Sequence, residues 1–247
     1  MGRVMVVTSG KGGVGKSTVA AGLGAAFARR EKKVLLIDGD AGLRSLDIML
    51  GISQDLVFDT YDVLVGNCEP IKAIYACRDV KGLYLMPAPA SVENRVTPEL
   101  MTRLIKGLSG YYDYVIVDCP GGVGAGFEAA IAAAKDALLV LTPDPVCIRD
   151  ADLIRRRLVS ENIENTRLII NRFCERAVVN NQIPHIDYII DASGTQLLGV
   201  VPEDEDLPRA MARGRLAASC GIAADALDRI AARLEGEKVL LPKKIGE

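Results

Sequence analysis

Two lysines, Lys11 and Lys16, lie five positions apart in the glycine-rich segment "GKGGVGKST". The segment satisfies the pattern G-x-x-x-x-G-K-[ST]; an apolar run precedes it, and a helix-like pattern from Ser17 to Arg30 follows it. Glycines let a backbone approach phosphate closely, and the N–H groups at a helix start attract anions. The pattern therefore predicts a phosphate-binding loop in which Lys16 reaches the β- and γ-phosphates and the Ser17 hydroxyl binds Mg²⁺.

Three carboxylates follow apolar runs that have the character of strands. Asp118 ends "YVIVD", where it would hold Mg²⁺ through a water molecule, while Asp38 and Asp40 end a second run. Two carboxylates this close repel each other and need a nearby cation, and one of them could orient or deprotonate an attacking water. The alternative for Asp38 and Asp40 is a turn capped by aspartate side chains.

The apolar runs predict the fold. They are continuous rather than alternating, as in strands that are buried on both faces of a parallel sheet. The seven expected strands are "VMVVTS", "KVLLIDGD", "LYLMPA", "YVIVDCP", "ALLVLTP", "RLIINR" and "LLGVVPE". The helix candidates between them cover 17–30, 98–108, 127–135, 148–161 and 223–235.

Alternating strands and helices indicate an α/β fold, a single-domain, doubly wound and mostly parallel sheet with helices on both faces, as in P-loop NTPases. We expect one ATPase domain over residues 1–236 and a tail over residues 237–247. In open parallel sheets ligands bind beyond the carboxyl ends of the strands, and the glycine run and all three carboxylates follow strands. The sequence therefore predicts one nucleotide site at that edge.

Composition excludes several classes of function. The 247 residues carry a net charge of −2, which gives no overall signal for nucleic acid. No apolar run approaches the roughly 18 residues that span a bilayer, and we expect no secretory leader before the first strand. The six cysteines are scattered and include no C-x-x-C pair, which argues against zinc or iron–sulfur ligation and favours a reducing cytosol.

The segment "KGGVGKST" resembles the deviant Walker A motif of the MinD/ParA family of ATPases, in which a second, signature lysine precedes the usual one. In that family the signature lysine crosses a dimer interface and contacts phosphate bound by the partner subunit. The resemblance implies a homodimer in the ATP-bound state, with Lys16 acting in cis and Lys11 in trans. A cation supplied in trans completes a site only on association, as an arginine finger does.

Within the family, the chain is most similar to the MinD-type members over "DGDAGLRSLDIMLG", "DYVIVDCPGGV", "TPDPVCIRDAD" and "LLGVVPEDEDLPRAMARGR". The resemblance implies an ATPase that regulates bacterial division-site placement and recruits a division inhibitor when bound to ATP. It also implies an ATPase-stimulating regulator and a cytoplasmic protein that reversibly contacts the inner face of the cell membrane. A ParA-like DNA or cargo partitioner, a flagellar-number regulator of FlhG type and a metal-cluster carrier remain alternatives.

The resemblance also assigns roles to individual residues. Asp40 would position the lytic water and would act with Lys11 and Lys16 in catalysis, while Ser17, Asp38 and Asp118 would support Mg²⁺. Residues 41–47 and 119–124 would be switches I and II, which sense the γ-phosphate. The expected nucleotide-binding residues are Gly10, Lys11, Gly12, Gly13, Val14, Gly15, Lys16, Ser17, Thr18, Asn171, Arg172, Pro202, Glu203 and Asp204.

Among these, Asn171 would form a hydrogen bond with adenine, and the base would stack near Arg172. The backbone around Pro202, Glu203 and Asp204 would complete the base pocket. Arg44 and Asp152 would lie on the surface that contacts a regulator.

Two segments depart from the MinD-type pattern. Gly121 stands where many members have alanine, which predicts a more flexible switch II. The tail "EGEKVLLPKKIGE" carries lysines and bulky apolar residues, yet Pro242 would break a helix and no aromatic residue is present. Weak membrane contact, membrane contact that needs a partner, and a frayed terminus without membrane contact all remain open for this tail. The arginines at 155–157 could begin the basic patch that a DNA partitioner needs.

Overall fold

The sheet that the apolar runs predict is present in the computed structural model, which describes residues 2–91, 96–163, 165–218, 221–242 and 244–245. Its strands run in the order β3-β4-β2-β5-β1-β6-β7-β8, and every neighbouring pair is parallel except β3 and β4. The strands are β1 (Arg3–Thr8), β2 (Val34–Asp38), β3 (Tyr75–Ala76), β4 (Leu83–Met86), β5 (Tyr114–Asp118), β6 (Asp136–Leu141), β7 (Asn165–Phe173) and β8 (Leu197–Pro202). All seven predicted strands are confirmed, and the missed β3 is a two-residue antiparallel edge strand.

Helices connect the parallel strands and cover the sheet. Within the described ranges they are α1 (Lys16–Arg29), α2 (Leu46–Met49), α3 (Thr60–Leu64), α4 (Pro98–Leu108), α5 (Ala125–Ile131), α6 (Pro145–Ser160), α7 (Glu175–Val179), α8 (Ile186–Ser193), α9 (Asp206–Ala212) and α10 (Ile222–Leu234). The predicted helix at 98–108 is confirmed at both ends. Helix α6 begins earlier than predicted because Asp144 caps it, its side chain accepting the N–H of Cys147.

Helix α5 ends four residues before the predicted end at residue 135. The chain must turn there, because Asp136 already pairs with Met5 and Asn165 in the sheet. Helices α2, α3, α7, α8 and α9 were not predicted, since segments of four to eight residues are too short to display a helical period in the sequence.

Helix α1 packs closely on the centre of the sheet. Phe27 is fully buried and stacks on Tyr114 of β5, with ring centroids 3.9 Å apart. A Cβ atom on Gly22 would lie 2.4 Å from a methyl carbon of Leu227 on α10, so glycine is what allows the two helices to approach. Because Lys16 is the first residue of α1, this packing also sets the position of the glycine loop.

The carboxyl ends of the three central strands meet at one edge of the sheet. In the parallel register of β2 and β5, Asp38 is the partner of Asp118, and Val7 of β1 is also a partner of Asp118. The glycine loop leaves β1 one residue further on, after Thr8. The fold thus brings the loop and both strand-end aspartates to one place, as the sequence predicted.

We predict that Phe27→Ala lowers the free energy of unfolding by about 3–5 kcal/mol, because it removes a buried aromatic ring and leaves a cavity beneath α1. Chemical denaturation monitored by circular dichroism measures the loss. Tyr111→Ala is the control, since the Tyr111 side chain is exposed and its loss should cost no more than about 0.5 kcal/mol. Equal losses in the two variants would contradict the packing described for α1.

Candidate functional site

The glycine loop forms a turn between β1 and α1 whose geometry requires glycine. Gly13 and Gly15 adopt left-handed φ angles of 79° and 92°, which side chains rarely tolerate. A Cβ atom on Gly15 would also lie 2.3 Å from the Asn171 side-chain nitrogen. A Cβ on Gly12 or Gly13 would meet no atom within 4 Å, so this side of the loop is open to a ligand. The loop has the shape of a phosphate cradle at the start of α1.

Lys16 is buried at the base of this loop, with 8 % of its surface exposed. Burial raises the pKa of both Asp40 and Asp118, and the positive charge of the Lys16 ammonium opposes that rise. The Ser17 hydroxyl also lowers the pKa of Asp118. The structure therefore brings together the residues to which the sequence assigned phosphate and Mg²⁺ contacts.

The two strand-end aspartates are almost fully buried, at 1 % exposure each. Burial raises the pKa of Asp38 to about 6, although the N–H groups of Asp40, Leu46 and Ser45 donate to its carboxylate. Burial, and then the charge of Asp38, raise the pKa of Asp118 to about 7. The pKa values of both carboxyls therefore lie close to neutral pH.

One oxygen of this cluster has no hydrogen-bond partner within the described part of the chain. Asp118 Oδ1 is buried and unpaired, which is costly unless a cation or a bound water satisfies it. Elsewhere in the described ranges, as here, no three His, Cys, Asp or Glu side chains converge as direct metal ligands. The unpaired Asp118 oxygen is a suitable partner for Mg²⁺ bound with a nucleotide, because that ion keeps several waters and takes other ligands from phosphates.

Asp40 lies at the mouth of the cluster and is half-buried. Its backbone N–H donates to Asp38 Oδ1 at 2.9 Å. Burial raises the pKa of its side chain, and the Lys16 ammonium opposes that rise. A carboxylate at this position can accept a proton from a water beside a phosphate bound on the loop, so the predicted role in water positioning stays a prediction with a suitable location.

The two lysines of the loop lie in different surroundings. The Lys11 side chain is 49 % exposed, and its ammonium lies 3.7 Å from Asp144 Oδ1 at the start of α6. Hydrogen bonds from Thr142 and from Cys147 at the start of α6 help hold the pKa of Asp144 at about 2, despite its partial burial. Lys11 therefore lies on the outer side of the loop, while Lys16 lies within the site.

Three of the residues predicted for the base pocket line a cavity of about 720 Å³, whereas Asn171 and Arg172 are not among its lining residues. Pro202, Glu203 and Asp204 line one side of it, and residues 173–176 line the other. The Asp204 carboxylate accepts the N–H groups of Asp206 and Ala223, which fixes this side of the pocket to the start of α10. Base binding by these residues remains a prediction.

Asn171 has a structural role that sequence reasoning missed. Its side chain is 5 % exposed and its amide donates to the Val14 carbonyl oxygen at 2.8 Å, so that β7 braces the glycine loop. The two residues are 157 positions apart, and no local pattern signals the contact. Arg172, the predicted neighbour of the base, is exposed with a φ of 52°.

The segment 119–124, which is predicted to be switch II, approaches the glycine loop at Gly121. A Cβ atom on Gly121 would be 3.5 Å from Gly12 Cα and 3.8 Å from the Lys16 ammonium, an ordinary contact distance. An alanine would fit at this position, so Gly121 is not needed for the geometry. Gly122 is different, because its φ of 86° favours glycine.

Arg44 differs from its expected placement on a regulator-binding surface. Its guanidinium is turned inward and donates to the Ala88 carbonyl oxygen and to Asp59, both at 2.7 Å. Asp152 is paired with Arg155 and Arg156 along α6.

The three consecutive arginines on α6 do not form a free basic patch. Arg155 and Arg156 pair with Asp152, and Arg157 pairs with Glu128 and Glu161. Neutralisation by neighbouring carboxylates weakens the attraction for DNA that the ParA-like alternative requires.

The tail has no helix over its described residues, 237–242 and 244–245. The Leu240 side chain is 87 % exposed, whereas the backbone N–H of Ile245 donates to Glu175 at 2.9 Å beside the base cavity. In the part of the chain that the structure describes, no helix has the length and apolar character to cross a membrane.

Comparisons with known proteins agree with this geometry. Residues 5–217 match the family model described as the CobQ/CobB/MinD/ParA nucleotide binding domain. The septum site-determining protein MinD of Synechocystis is 40% identical over 97% of this chain and 91% of its own length. MinD of Bacillus subtilis is 39% identical over 98% of this chain and 92% of its own length.

Solved structures of MinD proteins are also similar to this chain. The MinC:MinD cell division protein complex of Aquifex aeolicus contains a chain that is 36% identical, with a TM-score of 0.91 over 98% of this chain and 99% of that one. MinD of Pyrococcus horikoshii, complexed with Mg-ADP, is 28% identical, with a TM-score of 0.85 over 95% of this chain and 96% of that one. This chain therefore belongs to the CobQ/CobB/MinD/ParA nucleotide-binding family and, within it, to the septum site-determining MinD proteins.

Proposed function

We propose that the protein is a Mg²⁺-dependent ATPase of MinD type, which closes into a homodimer on binding ATP and in that state recruits a division inhibitor. The observation that carries the proposal is the placement of buried Lys16 beside Asp118 and Asp40, with Lys11 on the outer side of the same loop. A single chain thus holds a nearly complete phosphate site together with a second lysine that the site does not use.

The residues of the site divide the chemistry between them. The loop N–H groups and the Lys16 ammonium neutralise phosphate charge, and the Ser17 hydroxyl and the buried carboxylates hold Mg²⁺. Bound Mg²⁺ supplies further positive charge at the phosphate oxygens. Asp40 orients the attacking water and accepts its proton, which makes it the group whose loss stops hydrolysis without emptying the cradle.

Lys11 acts across the dimer. In one chain its ammonium has only a half-exposed pair with Asp144 at 3.7 Å, and such surface pairs contribute about 0–1 kcal/mol. Breaking the ion pair between Lys11 and Asp144 therefore costs little free energy. At the partner's phosphates, Lys11 instead makes charge-assisted hydrogen bonds in a site from which the dimer excludes water. Hydrolysis is thereby tied to association.

The partner, the regulator and the location follow from the resemblance. The Aquifex complex of MinC with MinD supports a division inhibitor as the partner. We place the protein in the cytoplasm, with a stimulating regulator and reversible contact with the inner face of the membrane. The exposed Leu240 and Leu241 of the tail support a weak peripheral contact. Sedimentation with anionic vesicles in ATP and in ADP tests it; equal sedimentation in both would contradict nucleotide control.

We predict that Lys16→Ala abolishes measurable ATP hydrolysis and weakens ADP binding by about tenfold or more, because the phosphates lose their buried cation. Fluorescence titration with a labelled ADP measures the affinity. Lys72→Ala is the control, because Lys72 is an exposed lysine far from the loop in sequence, and its removal should leave both quantities unchanged. Unchanged ADP affinity in Lys16→Ala would contradict the phosphate cradle.

We predict that Lys11→Ala retains ADP binding in the monomer but loses both ATP-dependent dimerisation and activity, whereas Asp40→Ala binds ATP and accumulates as an inactive dimer. Size-exclusion chromatography with light scattering, run in ADP and in ATP, separates these outcomes. Loss of ADP affinity in Lys11→Ala would place this lysine in its own chain's site.

Mixing the two inactive variants tests the trans role of Lys11. In a heterodimer of Lys11→Ala with Asp40→Ala, the site on the Lys11→Ala chain keeps its own Asp40 and receives an intact lysine from its partner. One of the two sites is then complete, so partial ATPase activity should return on mixing. If Lys11 acted in cis, neither site would be complete, and heterodimers without activity would reject the trans assignment.

A further inference from the structure

The segment that follows β2 is tied at several points to the chain just after β4. The N–H of Gly42 donates to the Pro89 carbonyl oxygen at 3.1 Å. Two residues further on, the Arg44 side chain donates through Nε to the Ala88 carbonyl oxygen at 2.7 Å. Switch I, predicted at 41–47, is thus held against a neighbouring segment rather than lying free in solvent.

An ion pair anchors this arrangement. The Arg44 guanidinium donates to Asp59 Oδ2 at 2.7 Å, and the two side chains are 24% and 10% exposed. The same oxygen accepts the N–H of Ala90, while Asp59 Oδ1 accepts the N–H groups of Tyr61 and Asp62 at the start of α3. One carboxylate therefore joins switch I, the segment after β4 and helix α3, in a partly buried and charge-assisted network.

The backbone at Arg44 indicates that these contacts impose its conformation. Its φ is 22°, a positive value that costs energy in a residue with a side chain and persists only where surrounding contacts enforce it. The N–H groups of Leu43 and Arg44 point back to the Asp40 carbonyl oxygen, at 3.3 and 3.4 Å. Holding Arg44 in place therefore also holds the Asp40 peptide.

We infer that Arg44 and Asp59 form a positioning pair that fixes switch I and sets the place of Asp40 at the nucleotide site. The inference rests on the proposed role of Asp40 in orienting water. Neither Arg44 nor Asp59 belongs to the glycine loop or to the group formed by Asp38, Asp40 and Asp118. Loosening the pair should therefore slow hydrolysis while leaving the phosphate cradle able to bind nucleotide.

The first test is Arg44→Ala, compared with Arg78→Ala as a matched control. Arg78 makes an ion pair of the same chemistry with Asp55, but on the surface, and its side-chain hydrogen bonds within the described residues go to Asp55. We expect kcat to fall about tenfold or more in Arg44→Ala, with KM for ATP and ADP affinity within about twofold of wild type. Unchanged kcat would overturn the inference, and so would a parallel loss of kcat, ADP affinity and melting temperature, which would mean general unfolding.

A second measurement does not depend on activity. Amide hydrogen exchange over residues 40–46 should rise about tenfold in Arg44→Ala and stay unchanged in Arg78→Ala. If switch I keeps its protection in Arg44→Ala, the inference fails even where hydrolysis is slow. If wild-type protein hydrolyses no ATP but Arg44→Ala still raises amide exchange over residues 40–46, the proposed ATPase function is wrong. The conclusion that Arg44 and Asp59 fix switch I would then remain.

Asp59→Asn tests whether the two residues act together. Asparagine keeps the Oδ1 acceptor that caps α3 but replaces the Oδ2 acceptor with an amide donor that cannot pair with Arg44. The double variant with Arg44→Ala should be no slower than the slower single variant, and Arg44→Lys should recover part of kcat by keeping the charge. Losses that multiply in the double variant would show independent effects and contradict a positioning pair.

Discussion

The site depends on placing two carboxylates and an ammonium together where water is largely excluded. Asp38 and Asp118 end adjacent strands at 1 % exposure, and Lys16 lies at the base of the loop beside them. Buried charges are costly unless they are paired, and the single ammonium of Lys16 cannot neutralise several carboxylates. The raised pKa values of Asp38 and Asp118 are the result. A nucleotide with Mg²⁺ supplies both the negative and the positive charge that such a set can bind.

The rest of the fold serves this placement. Close packing of α1 on the sheet and on α10, where Gly22 allows the two helices to approach, fixes the residue at which the loop becomes helix. Asn171 reaches across from β7 to hold the loop backbone at Val14. The Asp38 carboxylate accepts the N–H groups of Asp40, Ser45 and Leu46, so a change of charge at Asp38 acts directly on the segment that carries Asp40.

Much of this could be predicted from sequence because its signals are local. The spacing of the glycines and Lys16, and an aspartate at the end of two of the apolar runs, place the phosphate loop and carboxylates without any knowledge of distant contacts. What could not be predicted depends on partners far along the chain. Nothing near Arg44 in the sequence indicates that it turns inward onto Asp59, and an exposed role was the natural expectation for an arginine in a loop.

The short elements were missed for a related reason. Strand β3 has two residues, and its pairing with β4 rather than its own composition makes it a strand. Helix α3 is five residues long and is defined mainly by the capping contacts of Asp59. Such elements are stabilised by tertiary contacts and carry no period that a sequence pattern could display.

The number of protons released when Mg²⁺-ADP binds is the most direct test of the buried carboxyl at the site. Titration calorimetry of Mg²⁺-ADP binding, repeated in buffers of different ionisation enthalpy at about pH 6.5, gives the number of protons released. Because the pKa of Asp118 is about 7 in the free protein and bound Mg²⁺ favours the ionised form, wild type should release about 0.8 of a proton more than Asp118→Asn. The difference should vanish at about pH 9, where the carboxyl is already ionised. Equal proton release by the two proteins at about pH 6.5 would contradict a buried, partly protonated carboxyl at the Mg²⁺ site.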